Sequence, residues 1–156
     1  MLCLSSILLG FLLSSPVRAA YKVCLWTCAD PLDYTQFEGD SPDADYYASS
    51  CQNLLRVQSL YTCMQDRCTQ KQIKDGIAEK QHSCKQYGSV DMLPWSIISN
   101  ITEKDKDNLP VLNYEDLTVS GSAKPPTFKR PVKLSGSLWT LSKKTNVSAM
   151  RMCGQS

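Results

Sequence analysis

The chain has 156 residues, of which 17 are basic and 15 acidic, with 42% hydrophobic residues and eight cysteines. One small domain with extensions is what that length holds, and after the first 20 residues no stretch reaches the roughly 18 consecutive apolar residues of a membrane helix. The charge is unevenly spread: residues 30–45 carry Asp30, Asp33, Glu38, Asp40, Asp43 and Asp45 with no base. Seven basic residues follow Asp116 with no acid, interleaved with too few aromatics (Phe128, Trp139) for a nucleic-acid surface.

In chain order, LCLSSILLGFLL is an apolar run too short for a membrane span, and PVRA follows it with Val17 and Ala19 at the −3 and −1 positions of a cleavage site. Residues 1–19 therefore read as a secretory signal cut after Ala19, leaving a soluble, exported chain with no membrane span. Cys3 leaves with the signal. Six of the remaining cysteines, Cys24, Cys28, Cys51, Cys63, Cys68 and Cys84, cluster in a cysteine-rich domain over 20–101. In an oxidising compartment they read as three disulfides, with fifteen pairings open, and Cys153 is the odd one, free or paired between chains.

DPLDYTQFEGDSPDAD reads as a solvated acidic loop without the spacing of an EF-hand. Residues 46–59 read as one helix with Tyr47, Cys51, Leu54 and Leu55 on a face, and Leu60 to Cys68 as a second turn or helix. Thr69 and Gln72 form a capping-box pair that starts a helix through about Tyr87, with Gly88 as its stop and Ile73, Ile77 and Cys84 on one side. So thin an apolar stripe needs covalent staples. MLPWSIISNIT (92–102) is a short amphipathic turn with Leu93, Ile97, Ile98 and Ile101 on one face; 102–134 is an extended linker or wrap; and 135–156 is a helical or divergent tail. The expected fold is a small, mainly α, disulfide-rich extracellular domain with an irregular extended C-terminal segment. Asn100-Ile-Thr102 and Asn146-Val-Ser148 are acceptor sequons for N-glycans.

Candidate chemistry is sparse. Cys24-x3-Cys28 and Cys63-x4-Cys68, with His82, come near a zinc pattern, but the intervening spacings fit no finger and export favours disulfides. No C-x-x-C redox motif occurs. His82, the only histidine, reads as a solvent-facing helical residue, and no catalytic, cofactor-binding or metal-ligating residue is assigned.

Several words resemble the N-terminal extracellular region of fungal ferric reductases, the plasma-membrane metalloreductases of the flavocytochrome superfamily. They are Cys24-Leu-Trp-Thr-Cys28, SLYTCMQDRC, QIKDGIAEKQHSC, YGSVDMLPWSIISNIT, LNYEDL and RPVKLSGSLWTLSKKT, spread over nearly all of residues 21–145. The resemblance implies a cell-surface role in iron or copper uptake, with ferric chelates or a membrane reductase portion as partners. It also implies that haem and FAD belong to a full-length relative and not to this stretch, so that no reductase activity is expected of the chain alone. Within the acidic run, residues 30–45 would attract cationic metal species. After Thr145 the resemblance fades, as a truncated or altered reading frame would make it do. Three other readings compete: a secreted cysteine-rich interaction protein of the effector kind, a small extracellular haem or iron carrier, and an enzyme acting through His82.

Overall fold

The computed structural model describes residues 16–40, 45–117 and 127–153. Most of the expected signal, residues 1–15, lies outside them, and residues 16–19 form the first turn of α1 (Pro16–Asp33). Next come β1 (Gln36–Phe37), α2 (Tyr46–Gln52), α3 (Leu54–Arg67) and α4 (Gln70–Gly88), then a 3-10 turn (Trp95–Ile98). The chain continues through α5 (Glu103–Asp107), β2 (Val111–Leu112), α6 (Tyr114–Leu117), β3 (Thr127–Phe128), β4 (Lys133–Leu134) and α7 (Gly136–Cys153). The domain is mainly α, as composition and spacing lead one to expect.

α1 is the central element, packed against α3, α4 and α7. Its buried face presents Leu25, Cys28, Ala29 and Leu32 to Val57, Tyr61 and Met64 of α3 and Ile73 of α4, within one continuous core. Three disulfides staple this core: Cys24–Cys68, Cys28–Cys63 and Cys51–Cys84. The first two are nested, which requires α1 and α3 to run antiparallel. Cys24 and Cys28 lie one helical turn apart, whereas a five-residue spacing would carry Cys63 and Cys68 to different faces of a continuous helix. α3 stops at Arg67, and Cys68 takes extended backbone (φ −108°, ψ 151°), which brings its sulfur to Cys24. The loops closed span 33 to 44 residues, and on the chain-entropy account each bridge alone is worth about 4 kcal/mol.

Two expectations are corrected here. Residues 46–59 do not form one helix: the chain breaks at Asn53 (ψ 115°), whose side chain accepts from the Leu55 and Arg56 N–H groups and so caps α3. With the break, Leu54 turns outward and is 49% exposed. The run from Asp30 to Asp45 is not all loop either, because α1 continues through Pro31 to Asp33. Pro31 has no N–H for the Thr27 carbonyl one turn earlier, and that carbonyl accepts from Ser142 Oγ of α7 at 3.2 Å.

The capping box at Thr69 is present, with the Gln72 side chain accepting from the Thr69 N–H at 2.9 Å. At the other end the stop differs from expectation. Gly88 is the last helical residue, and Ser89 takes the left-handed conformation (φ 53°). Gly88 serves a close approach: a Cβ there would lie 2.9 Å from Tyr47 Cγ and nearer still to Tyr47 Cβ.

The described part of the segment 102–134, residues 102–117 and 127–134, lies over the helices. β1 pairs with β3 and β2 with β4, both parallel, and the Val132 N–H donates to Ser59 Oγ of α3 at 2.9 Å. It is less irregular than expected, since α5 and α6 interrupt it, α5 starting at a Thr102–Asp105 capping box. α7 then runs along α1 and passes Thr145 without a break. Among the described residues, no helix is long and apolar enough to cross a membrane.

Candidate functional site

The residues that the sequence singles out do not converge. All six clustered cysteines are consumed in the disulfide frame, which removes the thiolates a zinc site would require. Among the described residues no group of three or more His, Cys, Asp or Glu side chains is placed to hold a metal ion. His82 is exposed on α4. Asn100 is exposed beyond the 3-10 turn. Asn146 is half-buried in α7, and its Nδ2, the atom a glycan would take, donates to Asp30 Oδ2 at 2.9 Å and to the Ser142 carbonyl at 3.1 Å.

What does converge is a polar cluster at the C-terminal end of α1. Arg56, buried on α3, donates to the Leu32 carbonyl, to the Thr35 carbonyl at 2.9 Å and to Asp40 Oδ2 at 2.7 Å, and its guanidinium stands over the Phe37 ring. One cation thus satisfies carbonyls left open where α1 ends and fixes the strand that follows. Asp33 lies 3.8 Å from Arg56 Nη1 and accepts from the Tyr46 hydroxyl at 2.7 Å. The acidic run is therefore not simply solvated: Asp33 and Asp40 are built into the fold, while Asp43 lies outside the described residues.

Lys80 of α4 is buried beside this cluster, its ammonium 5.7 Å from the ring centroids of both Trp26 and Tyr46. Burial pushes its pKa below the usual lysine range, and the charges of Asp33 and Asp30 offset part of that fall. Desolvation raises the Asp33 carboxyl above its ordinary value, opposed by the Tyr46 hydrogen bond and by the charges of Lys80 and Arg56. Asp30 is likewise raised by burial, with the Asn146 hydrogen bond acting against it and the neighbouring Asp33 adding to it.

On the outer side of this cluster the last turn of α1, α6 and α7 enclose a groove of about 270 Å3. Asp30 and Asp33 supply its charge, Leu117 and Leu138 its apolar wall, and Tyr34 and Tyr114 line it as aromatics. Charged, apolar and aromatic side chains converging on one concavity are the composition of a ligand pocket. Comparison of the chain with protein-family models, curated proteins and solved structures finds no match.

Sequence reasoning missed Arg56 and Lys80. Both carried a signal. Arg56 is a lone charge between Leu55 and Val57 in an otherwise apolar turn, and Lys80 falls on the Ile73–Ile77–Cys84 stripe, three residues after Ile77 and four before Cys84. A cation in a buried stripe announces a buried partner.

Proposed function

We propose that this chain is an exported, disulfide-braced binding domain without catalysis of its own, the outer domain of a cell-surface protein related to ferric or cupric reductases. One observation carries this reading. The short cysteine words that give the resemblance are partners in one frame: the CLWTC segment is bridged twice to YTCMQDRC, and the word ending at Cys84 is bridged to α2. Spacing between such words is then a constraint of helix-to-helix geometry, which a related outer domain would share.

The residues of this chain do not supply the paired imidazoles that hold a membrane haem. The chain has one histidine, His82, exposed on α4, so no pair of imidazoles faces across a buried gap. Electron transfer belongs to cofactors held elsewhere. The purified, oxidised protein is expected to show no haem absorbance and no NADPH-dependent ferric reduction, and a Soret band that survives dialysis overturns the reading. Sequencing of the full transcript tests the finer part: a frame that continues into histidine-bearing membrane helices supports the outer-domain assignment. A stop codon after Ser156 favours instead a free-standing secreted interaction protein, a second reading supported by the exposed groove between α1, α6 and α7.

A further inference from the structure

Asp30 and Asp33 stand in the last turn of α1, an 18-residue helix. Exposed carbonyls make that end of a helix negative, so carboxylates there are locally disfavoured. Violations of local electrostatics of this kind mark places where something else sets the sequence. For Asp33 the compensation is internal, through Arg56 and the Tyr46 hydroxyl. For Asp30 it is only partial: the charge of Lys80 acts on it from beyond contact, but among the described residues no cationic group lies within ion-pairing distance, and its Oδ2 accepts a hydrogen bond from the neutral amide of Asn146.

The surface above Asp30 is also unusual. Seven large hydrophobic side chains are exposed among the described residues, and three of them, Tyr34 (69%), Tyr114 (47%) and Leu141 (44%), line this one groove. Scattered exposed apolar residues need no explanation, whereas their gathering around a concave site does.

We propose that the groove binds a small organic cation, an ammonium group carried on a flat apolar body, with the ammonium at Asp30 and the body against Tyr34, Tyr114 and Leu141. The carboxylate supplies the charge complement, and aromatic side chains attract both a cation and the face of a flat body. The volume, about 270 Å3, lies at the small end of ligand pockets and suits a small molecule better than a peptide segment. For a bare metal ion the groove offers two carboxylates, Asp30 and Asp33, and among the described residues no group of three or more His, Cys, Asp or Glu side chains is placed to hold one. The assignment holds whether the chain continues into a membrane protein or acts alone.

The test is a titration of the oxidised protein, followed by amide NMR, with 2-phenylethylammonium as the probe and the uncharged 2-phenylethanol as its control. Saturable shifts are expected in the last turn of α1, in α6 and in α7, with the alcohol binding at least about tenfold more weakly, as the loss of one charged contact implies. Asp30→Asn keeps an oxygen for the Asn146 amide and should weaken the ammonium by about the same factor while leaving the alcohol unchanged. Tyr34→Ala, at a mostly exposed position, should weaken both ligands. Equal binding of ammonium and alcohol, shifts centred elsewhere, or no saturation at millimolar probe each overturn the proposal. Should Asp30→Asn fail to fold, the ammonium-to-alcohol ratio and Tyr34→Ala decide the matter.

Discussion

Gly88→Ala separates two effects of opposite sign. Helix propensity alone favours the change by up to about 1 kcal/mol, because alanine is the better helix former. Packing opposes it. The added methyl would lie 2.9 Å from Tyr47 Cγ, closer still to Tyr47 Cβ, and 3.3 Å from Val90 Cγ2. Tyr47 Cβ is fixed by the backbone, so no rotamer relieves the contact and α2 must move from α4. The Cys51–Cys84 bridge joins those same two helices and resists the movement. Overpacking of this kind costs about 1–3 kcal/mol; a contact this close to a backbone-fixed atom lies at the upper end, so after the propensity gain is subtracted a net loss of about 2 kcal/mol is expected, a large share of the stability of a small domain. Urea unfolding of the oxidised protein should show a lower midpoint with an unchanged slope. Tyr47→Ala should not rescue the variant, since the offending Cβ remains. Gly76→Ala is the control: there the near atom is Met64 Cε at 2.9 Å, the free end of a flexible side chain, with Leu25 Cβ at 3.4 Å, so the change should stay within about 1 kcal/mol of neutral. A Gly88→Ala protein as stable as the parent refutes the close-approach argument.

Ser89→Gly should stabilise the domain by about 1 kcal/mol, because Ser89 holds a left-handed conformation (φ 53°) that glycine adopts without a Cβ penalty; the same unfolding assay reads the gain, and a loss refutes it. Peptide mapping without reductant should recover the 24–68, 28–63 and 51–84 pairs, and replacing Cys51 and Cys84 together with alanine should cost about 2–4 kcal/mol. Asp30→Asn tests the desolvated carboxyl through pH. The folded pKa of Asp30 is raised, so the stability it contributes is present at low pH and lost as pH rises through the folded value. The variant should therefore have its greatest relative stability near neutrality, with the difference in Tm from the parent shrinking toward pH 4; a difference that grows on acidification contradicts the assignment. Of the two sequons, glycan is expected on exposed Asn100 and not on Asn146, whose Nδ2 is engaged by Asp30 and Ser142, and glycopeptide mass spectrometry that finds Asn146 occupied is the contrary result.

The features legible in the sequence share one property: they are settled within a turn or two of helix. The Thr69–Gln72 box, the Ile73–Cys84 stripe and the density of cysteines call for short helices under covalent bracing, and the fold agrees. Asn53 shows where that reach ends. A helix-spaced pattern runs through it, yet its side chain also donates to Asp40 at 2.8 Å and to the Glu38 carbonyl at 3.1 Å, residues well before it in the chain, and those contacts favour a cap over a continuous helix. Gly88 reads locally as a helix stop, and only the approach of Tyr47 shows that it makes room for α2.

From its sequence alone, the protein's mainly α, disulfide-rich character is determined, because helical periodicity and cysteine content are properties of short segments. Tertiary structure decided which cysteines pair, which acidic residues are absorbed by Arg56 and which one is left facing a groove. Those outcomes depend on contacts between residues as distant in the chain as Asp30 and Asn146, or Cys24 and Cys68. Such pairs meet only after α1 has been enclosed by α3, α4 and α7, and no pattern within a single helix records that meeting.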